Sequence, residues 1–151
     1  MFAPDIVRPA VEFLAGLAVS GSALEFGIGT GRIELPLSRN GVRVHGIELS
    51  PAMVTRFKEK PGADEIDVTI GDFSTAKVAT RFSLVYLVYN LYLLIDGTCD
   101  VISMPFRYVW PSELDLMARL ARMTFRERWD EWTREPYTAD SSSHVSVWQK
   151  R

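Results

Sequence analysis

Apolar positions along the chain recur with two periods, and each period predicts an element. Ile6, Val7, Ala10, Val11, Leu14 and Leu17 share one helical face, so the first twenty residues read as an amphipathic helix that Gly21 ends. Two strand-like runs then flank a helix: Ala23 to Phe26 is short and apolar, Arg32 to Arg39 is helical, and Val42 to Glu48 is strand-like. Asn40-Gly41 is the stop before that second strand. Ser50-Pro51 pairs an N-cap with a first-turn proline and opens a helix to about Lys60, which Pro61-Gly62 breaks. Ile66 to Ile70 alternates as a third strand, and Phe82 to Val88 is a near-continuous apolar fourth. Strands apolar on both faces and alternating with helices indicate a parallel sheet covered on two sides. The first ninety residues therefore read as a βαβ series of an α/β fold.

The remainder is less regular. A parallel crossover takes about a dozen or more residues, usually a helix. Asn90 to Ile95 is a poor helix, so Val101 to Val109 is not an ordinary next parallel strand. Ser112 with Asp115 has the pattern of a capping box, and Leu114, Met117, Ala118 and Ala121 give the helix it opens an apolar face. Met123 to Trp129 and Val145 to Trp148 read as a closing antiparallel pair, joined by a long polar loop around Glu135-Pro136. The sign-alternating run from Arg126 to Glu135 reads as a solvated edge.

Composition narrows the function classes. A chain of 151 residues, 47% hydrophobic, fits one soluble domain with a real core. Its net charge of -2 supplies no bulk field for nucleic acid or an anionic membrane. Cys99 is the single cysteine and forms no internal disulfide, which argues against a secreted, stapled scaffold. Asp5, Arg8, Pro9 and Glu12 interrupt the N-terminal stretch, unlike the core of a signal peptide. The expectation is a soluble cytoplasmic protein with a small-molecule substrate and neither nucleic acid nor membrane as partner.

The stretch that carries chemistry is Leu24-Glu25-Phe26-Gly27-Ile28-Gly29-Thr30-Gly31-Arg32, between the first strand and the first helix. Glycines there let backbone approach a ligand closely. Glu48 ends the next strand, where a carboxylate can accept hydrogen bonds from both hydroxyls of a ribose. Asp72, in Gly71-Asp72-Phe73, ends the third strand, within reach of an exocyclic amine of an adenine ring. All three lie at carboxyl ends of parallel strands, where open α/β sheets bind ligands. Plainer readings stand beside these. The glycine loop reads also as a structural turn, and Asp72 as a turn cap. A dinucleotide site spaces its glycines G-x-G-x-x-G, whereas the third glycine here comes one residue early. His45 and His144 read as packing or surface residues, Cys99 as inert, and Trp110, Trp129, Trp132, Tyr137 and Trp148 mainly as packing. No spacing of Cys, His and Asp suggests a metal site.

These residues resemble the class I S-adenosylmethionine-dependent methyltransferases. Glu25, Gly27, Gly29 and Gly31 match the family's first motif, Glu48 its second, and Gly71 to Phe73 its third, with a close resemblance over about residues 3 to 95. The resemblance implies a Rossmann-like, doubly wound, mostly parallel sheet with an antiparallel C-terminal strand pair, and S-adenosyl-L-methionine as cofactor. It implies that Glu48 holds the ribose, that Asp72 and Phe73 flank the adenine, and that Leu49 and Met53 line the adenine pocket. The loop with Glu25, Gly27, Gly29, Thr30 and Gly31 would pass the methionine part. Tyr89 and Asn90 fall where the family contacts the methyl-donor end; no general base is identified. After strand four, the family's helix, fifth strand and next helix are not visible, whereas residues from about Met104 onward resemble its C-terminal end. The chain thus reads as one methyltransferase-like domain, 1–151, truncated relative to the seven-stranded fold by an internal deletion and a short N-terminus. Residues 1–95 form its cofactor-binding half and 96–151 an abbreviated C-terminal part. Two functions follow: a methyltransferase acting on a small molecule, or a degenerate, inactive cofactor-binding module. The latter would act through self-association, as a homodimer, or through a partner protein, because an uncovered strand four invites pairing.

Overall fold

The computed structural model describes residues 4–19, 21–88 and 109–150, which belong to two compact units, 1–90 and 91–151. The predictions made for Tyr89, Asn90 to Ile95, Cys99 and most of Val101 to Val109 lie outside the described residues. In the first unit the elements follow the predicted order: helix α1 (Pro4–Ala18), β1 (Ser22–Phe26), α2 (Glu34–Arg39), β2 (Arg43–Glu48), α3 (Pro51–Lys58), β3 (Asp67–Ile70) and β4 (Leu84–Tyr86). The fourth strand is shorter than its apolar run suggested.

The four strands pair in parallel in the order β3-β2-β1-β4. Ala23 to Phe26 of β1 lie beside Val44 to Ile47 of β2, and Ala23 to Glu25 lie beside Leu84 to Tyr86 of β4. The chain thus runs outward from β1 through β2 to β3, then returns to the other side of β1. That reversal places a topological switch point at the carboxyl end of β1, where such sheets bind ligands. Burial on both faces holds for the two inner strands; β3 and β4 are half-buried, with Ile70 and Val85 exposed.

Core formation explains the helices. One face of α1 buries Ala10, Val11, Phe13, Leu14 and Ala18. That helix stops at Ala18 with Val19 in the left-handed region (φ 55°), so the reversal is made before Gly21. Gly21 has a different reason: a Cβ there would lie 2.0 Å from Ser83 Oγ. Beneath α2 and α3, Ile28, Leu35, Phe57, Ala63 and Ile66 form a buried cluster against which Val68 packs. As predicted, Ser50 caps α3, its hydroxyl accepting the Met53 N–H at 3.4 Å.

The described residues of the second unit form α4 (Pro111–Leu120) and an antiparallel pair, β5 (Met123–Trp129) and β6 (Val145–Lys150). The expected capping box is absent. The N-cap is Trp110, with Pro111 in the first turn and no side-chain cap, so Ser112 already lies inside the helix. Asp115 is drawn elsewhere: its carboxylate accepts both Arg128 terminal nitrogens (3.2 and 2.9 Å) and the Trp148 indole N–H (3.0 Å). Arg128 is therefore part-buried rather than a member of a solvated edge, and Met117, expected on the apolar face, is exposed.

Candidate functional site

The site is built where β1, β2 and β3 end. Gly27 and Ile28 both donate their N–H groups to Ile47 O, at 2.9 and 3.1 Å, which stitches the loop after β1 onto β2. Ile28, between the first two glycines, is 3% exposed and anchors the loop in the core. Its side chain occupies the space where a Cβ on Gly46 would sit, 2.3 Å from Ile28 Cδ1, so Gly46 is a packing requirement of the loop.

The three glycines of the motif divide by what surrounds them. All have positive φ (73°, 58° and 83° for Gly27, Gly29 and Gly31), a region that strains any residue with a side chain. A Cβ on Gly27 would meet nothing within 4 Å, and one on Gly29 only Gly27 O at 4.0 Å. On Gly31 it would lie 2.4 Å from the Phe57 ring. The first two glycines face open space; the third serves helix packing. Thr30 is half-buried and its carbonyl accepts a hydrogen bond from Lys60 Nζ.

Glu48 is the best-defined polar group. Its Oε2 accepts the Gly29 N–H at 2.8 Å and its Oε1 accepts the Ser50 N–H at 2.8 Å. A carboxylate oxygen carries two lone pairs, so each retains acceptor capacity. The side chain is held by the glycine loop and the α3 N-cap before any ligand arrives. Leu49 and Met53 flank it on the chain and are 69% and 41% exposed. Phe73, 46% exposed, stacks on Phe26 with centroids 5.1 Å apart and planes inclined by 10°. Gly71 N–H donates to Glu48 O at 2.9 Å, which brings the Asp72-Phe73 segment beside the end of β2.

Asp72 is an exposed turn cap: Oδ1 accepts the Ser74 N–H at 2.8 Å, and hydrogen bonding by Ser74 holds its carboxyl below the usual carboxylate range. Glu25 is 3% exposed, and its Oε2 accepts the Tyr86 O–H at 2.8 Å. Tyr86 belongs to β4. Glu34 is fully buried at the start of α2, where its Oε2 accepts the Ile33 N–H at 3.1 Å. Burial holds Glu25 well above the ordinary carboxyl value and pushes Glu34 up to about 7. Burial raises the Tyr86 hydroxyl as well. Local partners hold both histidines: His45 Nε2 lies 2.7 Å from Thr69 Oγ1, and His144 Nδ1 lies 2.9 Å from Ser146 Oγ.

The geometry therefore joins Gly29 to Glu48 directly, ties Gly27 to the adjoining Ile47, and stacks Phe73 on Phe26, the residue before Gly27. Sequence reasoning missed Phe26, Ser50 as a holder of Glu48, Tyr86 as the partner of Glu25, and the buried Glu34. Only Ser50 had a local signal, its place two residues after Glu48.

Comparison with known proteins agrees with this arrangement. The family described as a methyltransferase domain matches residues 23–102, just over half of the chain. An uncharacterized methyltransferase of Bacillus mycoides (strain KBAB4) is 38% identical over 81 residues, 54% of this chain and 38% of that protein. One of Bacillus cereus (strain 03BB102) is 37% identical over the same shares. The chain thus spans well under half the length of the curated relatives it matches. Among solved structures, the CcbJ methyltransferase from Streptomyces caelestis superposes with a TM-score of 0.87 at 24% identity, covering 97% of this chain and 90% of that one. A TehB-like SAM-dependent methyltransferase from Corynebacterium glutamicum gives 0.74 at 20% identity, covering 95% and 88%. These two likenesses show the shared α/β fold. With the family matched across the glycine loop, Glu48 and the Asp72-Phe73 segment, the chain belongs to the methyltransferase-domain family of class I S-adenosylmethionine-dependent methyltransferases.

Proposed function

We propose that this chain transfers a methyl group from S-adenosylmethionine to a small-molecule acceptor. The observation that carries the reading is the Glu48 carboxylate, fixed by the Gly29 and Ser50 amides and flanked by two glycines that open onto free space. The residues fit the cofactor piece by piece. Glu48 accepts the two ribose hydroxyls with the lone pairs that its backbone donors leave. Leu49, Met53 and Phe73 offer exposed apolar surface to the adenine, and Asp72 retains Oδ2 for its exocyclic amine. Gly27 and Gly29 let the methionine part lie against backbone, with Thr30 beside them. Glu25 and Gly31 act from beneath the loop. Tyr89 is assigned to the donor end from its motif position. When bound, S-adenosylmethionine supplies a sulfonium methyl group for in-line transfer, so the chain's contribution is alignment and exclusion of water.

A net charge of -2 favours a small acceptor over a nucleic acid, whose phosphates demand basic surface. Among the described residues no helix is long and apolar enough to cross a membrane.

The test is calorimetric titration of S-adenosylmethionine into the wild type, Glu48→Gln and Glu48→Ala, followed by turnover on a panel of small nucleophiles. Hydrogen bonds to a charged group contribute about 1.5–3 kcal/mol each, so Glu48→Ala should weaken binding at least tenfold. Glu48→Gln keeps one acceptor oxygen and should fall between. Equal affinity in all three proteins refutes the ribose assignment. Binding without turnover on any acceptor favours a cofactor-binding module that acts through self-association or a partner.

A further inference from the structure

The glycine loop is threaded by a series of hydrogen bonds with a charge at each end. Ile28 to Gly31 form a tight turn in which the Gly31 N–H donates to Ile28 O at 3.2 Å. The Gly29 N–H donates to Glu48 Oε2 at 2.8 Å, and Lys60 Nζ donates to Thr30 O. The Thr30–Gly31 and Ile28–Gly29 peptides therefore lie in series, each receiving a hydrogen bond at its carbonyl and giving one from its amide. The series begins on an ammonium and ends on a carboxylate, the order that favours both peptide dipoles. Hydrogen bonds arranged in this way polarise and strengthen one another. Glycine at positions 29 and 31 leaves these peptides more than one orientation, so the charges at the two ends select among them.

Lys60 is exposed, but its main chain is fixed. Its N–H donates to Phe57 O at 3.0 Å at the end of α3, and its carbonyl accepts the Ala63 N–H at 3.1 Å across Pro61-Gly62. Gly62 (φ 87°, ψ 0°) holds the third position of a type II turn, where glycine is favoured. Arg39, at the end of α2, donates to Pro61 O at 3.2 Å. Phe57 and Ala63 are fully buried in the cluster that also holds Ile28. The Lys60 side chain thus springs from the same core that anchors the loop, and only its own rotamers are ordered when it reaches Thr30. We propose that Lys60 is a positioning residue for the cofactor loop. Through the two peptides it steadies the Gly29 amide on Glu48, and with it the carboxylate assigned to the ribose, without touching the ligand. Its effect on affinity rests on the cofactor reading of that loop; the hydrogen-bond series stands apart from it.

The experiment compares the wild type, Lys60→Met and Lys60→Arg. Methionine keeps an apolar stem without a donor, and arginine keeps both charge and donor. In the cofactor-free protein, followed by heteronuclear NMR, the Gly29 and Gly31 amide protons should move upfield in Lys60→Met as their hydrogen bonds weaken. The Gly27 and Ile28 amides, which donate to Ile47 O outside the series, should stay in place. Lys60→Arg should return the Gly29 and Gly31 signals most of the way. Affinity for S-adenosylhomocysteine, measured by calorimetric titration, should fall about threefold in Lys60→Met and recover in Lys60→Arg. In a Glu48→Gln background the uncharged end draws less on the series, and Lys60→Met should cost less than about twofold. Gly29 and Gly31 amides that ignore Lys60→Met overturn the proposal, and so does an equal shift of all four amides, which would report general loosening. An affinity that Lys60→Met leaves unchanged, or lowers equally in the wild-type and Glu48→Gln backgrounds, overturns it too. Amides that respond as expected in a protein without affinity for S-adenosylhomocysteine overturn the cofactor reading instead and leave the series standing.

Discussion

Alanine at Gly27 and alanine at Gly31 should damage this protein in opposite ways, although both glycines belong to one motif and both have positive φ. At Gly31 (φ 83°) the added methyl would lie 2.4 and 2.6 Å from two Phe57 ring atoms and 3.0 Å from Leu35 Cδ1. Phe57 is fully buried in the cluster beneath α2 and α3 and has no free direction in which to move. Left-handed strain costs about 1–2 kcal/mol and overpacking about 1–3 kcal/mol, so Gly31→Ala should lose about 2–5 kcal/mol of stability. At Gly27 (φ 73°) the methyl would meet nothing within 4 Å, and only the backbone strain of about 1–2 kcal/mol remains. That methyl, however, projects into the space assigned to the cofactor, and S-adenosylhomocysteine affinity should fall at least tenfold. Urea denaturation followed by far-ultraviolet circular dichroism reports all the helices, most of whose described residues lie in the first unit. All four tryptophans lie at positions 110–148, so their fluorescence follows the second unit separately. Equal stability losses in the two variants, or wild-type affinity in Gly27→Ala, would refute the division between a packing glycine and a ligand glycine.

Other consequences are as direct. Glu34 titrates at about 7 in the folded protein against 4.5 when free, so the fold retains a proton that the unfolded chain releases. The resulting stabilisation is complete below about pH 4.5 and lost as pH rises through 7, an interval worth about 3 kcal/mol. Glu34→Gln should make that decline shallower, leaving the part that the buried Glu25 contributes, and parallel stability curves for the two proteins between pH 5 and 8 would contradict it. In the second unit, Asp115→Ala leaves Arg128 and the Trp148 N–H without their acceptor and should cost about 1–3 kcal/mol, read from the tryptophan transition. Hydrogen bonding by Arg128 holds the Asp115 carboxyl below its free value, so its contribution is present above about pH 3.8 and lost on further acidification. Phe73→Ala removes an exposed ring stacked on Phe26 and should weaken S-adenosylhomocysteine binding about threefold to tenfold with little change in stability.

Periodicity and motif spacing alone carried the order of α1 through β4, the parallel sheet and the closing antiparallel pair. The resemblance to the family was legible too, because Glu25, the glycines, Glu48 and the Asp72-Phe73 segment each sit at or near a strand end whose position is set by local pattern. What the spacing left open depends on contacts between distant residues. Gly27 and Gly31 look alike on the chain and are separated only by where Phe57 packs. Gly46 carried no assigned role until Ile28 was seen to fill the room above it. Ser112 and Asp115 fit a capping box locally, but the helix starts two residues earlier, at Pro111, and Arg128 and Trp148 claim the carboxylate. Glu34 reads as an ordinary acid in a first helical turn, a favourable and usually solvated place. Only the folded packing buries it completely and pushes its carboxyl up to about 7, since desolvation is a property of the folded surroundings and has no trace in local sequence.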